Sequence, residues 1–507
     1  MSTARPVHLL TLAVFAAIMA LAAFVAPRLF VLFDEAYNLS VSKTLAAQGV
    51  YASHTADGYR LFDPQVSTGP TLLVPLALAL RLGGANIAVA RVAMLVIFLG
   101  CLALSYWAAR ELLGDPAAVG FLIVFATTPL VLVFGLCVLG DVPAISLGLA
   151  ALALFSRAER HVTQQWPLLL LSGLCLGLAI LAKDIIVLFL PAFVLACCAD
   201  IVARRSVERD RLLANLVPVV MALAIVGGWR GFQVSAMWLT STPQEFAAWQ
   251  SSLVVKAGEM SAAVAFAPLS HLTATWRENL DYYGPLLLGF VVGIMSTALL
   301  RFPVPLVDTK RLAQRVIAAA FVVWLVWYFA LSGPQALNRH LLPGVVLGEL
   351  LIVALVARLW QAARAVGVRV RRAALLAAVV TVVLLWSVAH GLGFTRLYLA
   401  SSVPRLAMQQ AAEGWIRENV SPAATLSGWG WYTPWHIAFL ADRVPAAVHP
   451  EASDLHGLSD WFVLSPEIEW GGGMGDRLRD FLARQGPPAF AQRLYPIYRV
   501  TWRPTAP

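Results

Sequence analysis

Eleven apolar runs, near residues 9–32, 87–108, 117–137, 142–158, 166–182, 184–200, 212–229, 284–300, 316–332, 341–357 and 373–394, limit what this chain can fold into. Each falls at about the 17 to 25 residues that a membrane-crossing helix needs. The 507 residues are 60% hydrophobic and 13% charged, against roughly half and a quarter in soluble domains. The expected fold class is an α-helical polytopic membrane protein of about 11 to 13 spans with a small C-terminal α/β domain. The run 70–82 is only about 13 residues, a length that suits an interfacial or re-entrant segment, and is not counted as a crossing. The first run, His8 to Leu32, is long for a cleaved signal, and Pro27 follows the small-residue stretch directly, so it reads as a retained span.

The net charge of +9 does not point to nucleic acid, because the basic residues sit in short clusters between apolar runs, where they set membrane orientation. With the N-terminus cytoplasmic, Arg110, the pair Arg157 and Arg160, and the clusters 204–211, 301–315 and 358–372 all face the cytoplasm. Counting 70–82 as a crossing would move these clusters outside, so the span count and the charge bias support each other. Cys101, Cys137, Cys175, Cys197 and Cys198 lie inside apolar runs without metal-binding spacing and read as packing residues.

Three non-cytoplasmic segments are long enough to build a site. The first, 33–86, carries Asp34 and Glu35, an amphipathic helix with Tyr37, Val41 and Leu45 on one face, and a polar stretch with His54, Asp57, Arg60 and Asp63. The second, 230–283, is rich in Trp and mixed in charge, as expected of helices at a membrane interface. The third, 395–507, follows the membrane module of residues 1–394 as a soluble domain. Within it 403–419, 435–440 and 476–485 read as helices and 424–427, 461–464 and 495–502 as strands, an alternation that suggests α/β layers. Gly471 to Gly473 lack the flanking residues of a phosphate-binding loop.

Under this topology Asp34, Glu35, Asp141, Lys183, Asp184, Arg339 and His340 fall on the non-cytoplasmic side, each at the end of an apolar run. One such residue alone is usually an interface anchor, and Asp34 could equally be the N-cap of the amphipathic helix. Seven on one side suggest a shared aqueous cavity. Such a set suits transfer of a sugar from a lipid phosphate. The phosphate leaving group is weakly basic and needs no general acid, unlike glycoside hydrolysis with its two carboxylates. One base would take the proton of an acceptor hydroxyl attacking the anomeric carbon, and cations would stabilise the departing phosphate. Arg339 offers a bidentate guanidinium and Lys183 a point charge for the second task.

Four motifs carry a family resemblance. They are Asp34-Glu35-Ala36-Tyr37 with its helix ending Gln48-Gly49-Val50-Tyr51, then Gly140-Asp141-Val142-Pro143, then the Gly-rich stretch Gly173 to Lys183, then Asn338-Arg339-His340-Leu341-Leu342-Pro343. In this order, over residues 8–358, the chain resembles the GT-C superfamily of integral-membrane glycosyltransferases. The likeness is to the bacterial branch akin to protein O-mannosyltransferases, aminoarabinose transferases and RgtA/B/C/D-like enzymes. The resemblance implies a GT-C-like bundle in a bacterial inner (plasma) membrane, surrounded by membrane lipids, with the C-terminal domain periplasmic. It implies inverting transfer of a hexosyl or pentosyl group from a polyprenyl-phosphate sugar to a hydroxyl of a lipid, glycan or protein. It makes Asp34 the base, has Glu35 and Asp141 support it or help hold the acceptor or a cation, and puts the donor phosphate at Lys183, Arg339 and His340. Aminoarabinose-type relatives carry Lys-Pro-Pro where this chain has Thr68-Gly69-Pro70, so a lipid A acceptor is not implied.

A transporter or lipid flippase is the alternative reading, since it too places charge in a central cavity; it would more often show paired inverted repeats, and no such pairing is present. A divalent metal stays open: Asp34, Glu35, Asp141, His54 and His271 have oxygen or nitrogen donors, with no fixed spacing that defines a site.

Overall fold

The computed structural model describes residues 4–500 except 57, 64–65, 205–208, 263–276, 278, 281, 286–287, 289–290, 292–311, 332–337, 365–368, 425, 430–435, 437–438, 449–459 and 465–471. Helix α1 (Ala4–Val25) ends in a short turn at Ala26–Arg28, where Pro27 removes a backbone donor. Helix α2 (Phe33–Gln48) stops at Gly49, whose φ of 73° is the left-handed conformation that glycine adopts without strain. A two-stranded hairpin follows, β1 (Ala52–Thr55) and β2 (Gly58–Leu61), antiparallel with His54 opposite Tyr59.

The bundle continues with α3 (Pro70–Gly83), α4 (Ile87–Leu113), α5 (Asp115–Thr127), α6 (Val131–Leu136), α7 (Asp141–Arg160), α8 (Gln165–Ala182), α9 (Phe189–Arg204), α10 (Arg209–Thr240) and α11 (Pro243–Ala262). Then come α12 (Leu312–Val326), α13 (Asn338–Arg364) and α14 (Arg369–Asn419). Among the described residues seven helices are long and apolar enough to cross a membrane, and four shorter apolar helices, α3 among them, stand beside them. The protein is a polytopic membrane protein. The expected run 284–300 lies mostly outside the described residues.

Three expected runs look different. The run 117–137 is two helices, because Leu130 adopts φ 74° between α5 and α6. The run 184–200 opens with a tight turn at Asp184–Leu188 before α9 begins. The run 373–394 and the expected helix 403–419 are one 51-residue helix, α14, so the expected boundary at 394 falls inside it. The chain changes polarity over residues 395–403, and although Pro404 lacks the N–H for one helical hydrogen bond, the helix continues through it.

Small residues set how closely the helices pack. A Cβ on Gly173 would lie 2.5 Å from the Met221 side chain, and one on Gly177 would lie 2.9 Å from Ile225. Advancing together, these contacts make α8 and α10 parallel neighbours, a small-xxx-small seam of the kind that lets membrane helices approach. Gly344 and Gly348 of α13 receive Trp324 and Phe321 of α12 in the same way. Phe98, Phe121, Phe155, Phe193 and Trp324 are among the large side chains wholly buried in the resulting core.

The end of α14 carries a four-stranded sheet of order β4-β3-β5-β6, from β3 (Leu426–Trp429), β4 (Pro445–Val448), β5 (Trp461–Val463) and β6 (Ile497–Arg499). Strand β3 is parallel to β4 and β5, and β6 is antiparallel. Ala412, Ile416 and Val420 pack against Leu426, Val463 and Ile497, and helix α15 (Gly472–Arg484) buries Leu478 and Leu482. This unit rests on the first segment. Phe439 and Leu440 join the cluster of Tyr37, Leu39 and Val41, the Ala56 N–H donates to the Pro445 carbonyl at 2.9 Å, and Lys43 pairs with Asp442. The bonded ammonium holds the Asp442 carboxyl below its usual range.

Candidate active site

The acidic segment is hung from α14. Ser402 Oγ donates to the Arg28 carbonyl at 2.9 Å and accepts from the Phe30 N–H at 2.8 Å. The buried Gln409 amide reads both groups of Val31, accepting from its N–H and donating to its carbonyl, each at 2.9 Å. Leu32 is the N-cap of α2, so Asp34 sits within the first turn and does not cap the helix. The cap N–H donates instead to Glu35 Oε2 at 3.3 Å, half of a capping box.

Adjacent helical residues point about 100° apart, and that separates the two acids. Glu35 is wholly buried. Its carboxylate pairs with both Nη atoms of Arg91 on α4, one contact at 3.0 Å, and accepts from the Val138 N–H at 2.9 Å. Arg91 also donates to the Leu136 carbonyl at 3.1 Å. Asp34 turns the other way, keeps its side chain 17% exposed, and forms an ion pair with Arg339 at the start of α13, whose side chain is 14% exposed.

A second charge pair lies at the same end of the bundle. Asp141 opens α7, Lys183 ends α8, and their charged atoms are 3.8 Å apart, with both side chains buried. Lys183 Nζ also donates to Ser67 Oγ at 2.7 Å. Four segments are stitched together here. Thr68 and Lys183 form an antiparallel bridge, the Gly69 N–H donates to the Ala182 carbonyl at 3.3 Å, and Asn38 Nδ2 donates to the Val138 carbonyl at 2.6 Å and to Thr68 Oγ1 at 3.2 Å. Gly69 and Gly140 are where they touch. An added Cβ would lie 2.1 Å from the Leu181 carbonyl oxygen and 2.0 Å from that of Ala182, respectively. Gly140→Ala should therefore cost about 1–3 kcal/mol as overpacking, read as a lower unfolding temperature in detergent. An unchanged midpoint would contradict this contact.

His340 follows Arg339 in the first turn of α13, and its carbonyl accepts from Trp324 Nε1 at 2.8 Å. Asp184 lines a cleft with Ser67, Thr68 and Arg230. Six of the seven residues expected at the site thus cluster, while Glu35 belongs to the support beneath them. The neighbouring Tyr37 donates to Asp63, and burial together with the facing carboxylate pushes its phenol well above the usual value, so it stays a donor.

Sequence reasoning overlooked Arg91, Asn38 and Gln409. A lone arginine inside an apolar run was the available signal for Arg91. Of the expected metal donors, His54 stacks on Tyr59 with ring centroids 4.6 Å apart, and His271 lies outside the described residues. Among the described residues no three His, Cys, Asp or Glu groups converge.

A family model described as dolichyl-phosphate-mannose-protein mannosyltransferase matches residues 68–229, the stretch that holds Asp141 and Lys183. The structure of ArnT from Cupriavidus metallidurans bound to undecaprenyl phosphate aligns over 96% of this chain and 97% of its own, with a TM-score of 0.63 at 16% identity. The fold is that of the GT-C glycosyltransferases. The archaeal oligosaccharyltransferase AglB from Archaeoglobus fulgidus, in complex with an inhibitory peptide and a dolichol-phosphate, aligns over 90% of this chain and 70% of its own, with a TM-score of 0.57 at 14% identity. A further structure of that oligosaccharyltransferase, in complex with Zn and sulfate, gives a TM-score of 0.55 at 15% identity over 89% of this chain and 68% of its own. No curated protein matches the sequence. Within this GT-C bundle the two carboxylate–cation pairs occupy the shared end of α7, α8 and α13.

Proposed function

We propose that the protein transfers a sugar, with inversion, from a polyprenyl-phosphate donor to a hydroxyl acceptor at the extracytoplasmic face of a bacterial plasma membrane. The observation that carries this is the pairing of Asp34 with Arg339 beside Asp141 and Lys183, at one end of a GT-C bundle. The bundle is similar to ArnT bound to undecaprenyl phosphate and to AglB in complex with a dolichol-phosphate. The donor phosphate takes Arg339 by charge-assisted hydrogen bonds, with Lys183 as a second cation and His340 beside them. Drawing the guanidinium to the phosphate leaves the Asp34 oxygens to accept from the acceptor hydroxyl. The hydroxyl oxygen bonds to the anomeric carbon, the bond from that carbon to the phosphate oxygen breaks, and the proton passes to Asp34. Asp141 holds Lys183 in place.

Each of these two carboxylates faces a protein cation, so the pairs offer little net negative charge to a divalent ion. Arg157 and Arg160 each pair with Glu111 at the opposite end of the helices, which supports placing the site outside by the positive-inside rule. The C-terminal unit, resting on α2, holds the acidic segment and does no chemistry.

Arg339→Ala should weaken binding of undecaprenyl phosphate to the detergent-purified protein by about 10- to 150-fold, the loss of one charge-assisted contact of roughly 1.5–3 kcal/mol. Equal affinity in the variant and the parent would remove the phosphate from this position.

A further inference from the structure

The hairpin β1–β2, the end of α10 and the start of α11 border a second, half-open space of about 730 Å³, within the range of roughly 300–1,000 Å³ typical of small-molecule sites. Because α8 and α10 run parallel, this space lies at the same end of the bundle as Lys183. Asp63 lines both this chamber and the cleft that holds Ser67 and Asp184. The two spaces therefore meet at one carboxylate, itself fixed by the Tyr37 hydroxyl.

The chamber walls are mixed. Val50, Leu61, Met237 and Ala248 are apolar, Arg60 and Asp63 bring charges, Tyr59 brings an aromatic ring, and Thr240, Ser241 and Ser252 bring hydroxyls that donate to Ala236, Met237 and Ala248 of the preceding turn and keep lone pairs to accept. Trp249 is buried, its indole donating to the Phe62 carbonyl at 3.1 Å and stacking on Phe246, so Tyr59, 47% exposed and backed by His54, is the aromatic surface open to a ligand. Glu245, also in the wall, fixes the start of α11 by accepting from the Thr242 N–H at 2.7 Å and from its hydroxyl at 2.9 Å. A held aromatic surface beside carboxylate and guanidinium groups suits a sugar ring, whose C–H face is apolar and whose rim of hydroxyls both donates and accepts.

We propose that this chamber binds a saccharide acceptor and leads its reacting hydroxyl past Asp63 to the charged cluster. The proposal rests on the transferase reading and adds the acceptor class. Arg60 and Asp63 grip hydroxyl pairs, and the exposed Tyr59 carries the ring face.

Two measurements test it. Lipid-linked glycans, free glycans and proteins from cells lacking this protein are compared by mass with those of the parent. The missing sugar should come from a saccharide, lipid-linked or free, and the two fractions tell these sources apart. Loss from polypeptide alone would overturn the proposal. With the acceptor so found, Ser252→Trp, which fills the chamber, and Tyr59→Ala, which removes an exposed ring, should each raise the acceptor KM about tenfold or more, with undecaprenyl phosphate binding kept within about twofold. An unchanged acceptor KM in both variants would overturn the chamber. A parent protein that binds no undecaprenyl phosphate would instead overturn the transferase reading beneath it.

Discussion

Asp34→Asn will lower turnover by about two to four powers of ten, the usual range for a lost general base, while undecaprenyl phosphate still binds. The substitution keeps the shape of the side chain. Its amide can still stand beside Arg339, so the start of α13 keeps its place, but it cannot take the proton of an attacking hydroxyl. The prediction is sharp because the neighbouring acid is occupied. Glu35 faces Arg91, with its oxygens engaged by the guanidinium and by two backbone N–H groups, and is not oriented to replace Asp34. The variant must first elute as a single species, after which turnover is read with the true donor and acceptor. Near-parental turnover would return Asp34 to a structural partner of Arg339, and the proposed chemistry would lose its base.

Much of this arrangement was legible in the sequence, for a physical reason. Charged residues at the ends of apolar runs are restricted by the membrane to one plane or the other. Deciding the side of each run was therefore enough to group Asp34, Asp141, Lys183, Asp184, Arg339 and His340. That Glu35 lies buried against Arg91 while Asp34 faces Arg339 was not legible from the residues themselves, although the family resemblance already cast Asp34 as base and Glu35 as support. This placement depends on the rotation of α2, which is fixed from a distance by Ser402 and Gln409 on α14, about 370 residues along the chain. The unbroken α14 was hidden by composition, because a helix that leaves the membrane changes its surface without changing its backbone. The break at Leu130 does not show in hydropathy, but Thr127-Thr128-Pro129 directly before it were a legible signal, since a proline just past a helix end cannot continue it. The chamber beside the hairpin joins segments nearly 200 residues apart, as the bond from Trp249 to Phe62 illustrates, and no local pattern announces it.

Arg91→Met will cost about 3–5 kcal/mol of stability, the penalty for stranding a buried charge by removing its partner. Glu35 is wholly buried, and without the guanidinium it would keep only the N–H groups of Leu32 and Val138. The same change removes the donors to the Leu29 and Leu136 carbonyls, so the backbone on both sides of the pair loses its anchor. The outcome is read as a lowered unfolding midpoint in detergent and less protein in the membrane. Replacing both partners, as in Glu35→Leu with Arg91→Leu, should recover much of the loss, since a buried ion pair exchanged for apolar packing is often neutral. That double variant separates support from chemistry. If it folds and turns over near the parental rate, Glu35 only shapes the segment that presents Asp34. If it folds with full stability and binds donor but does not turn over, Glu35 takes part in the transfer.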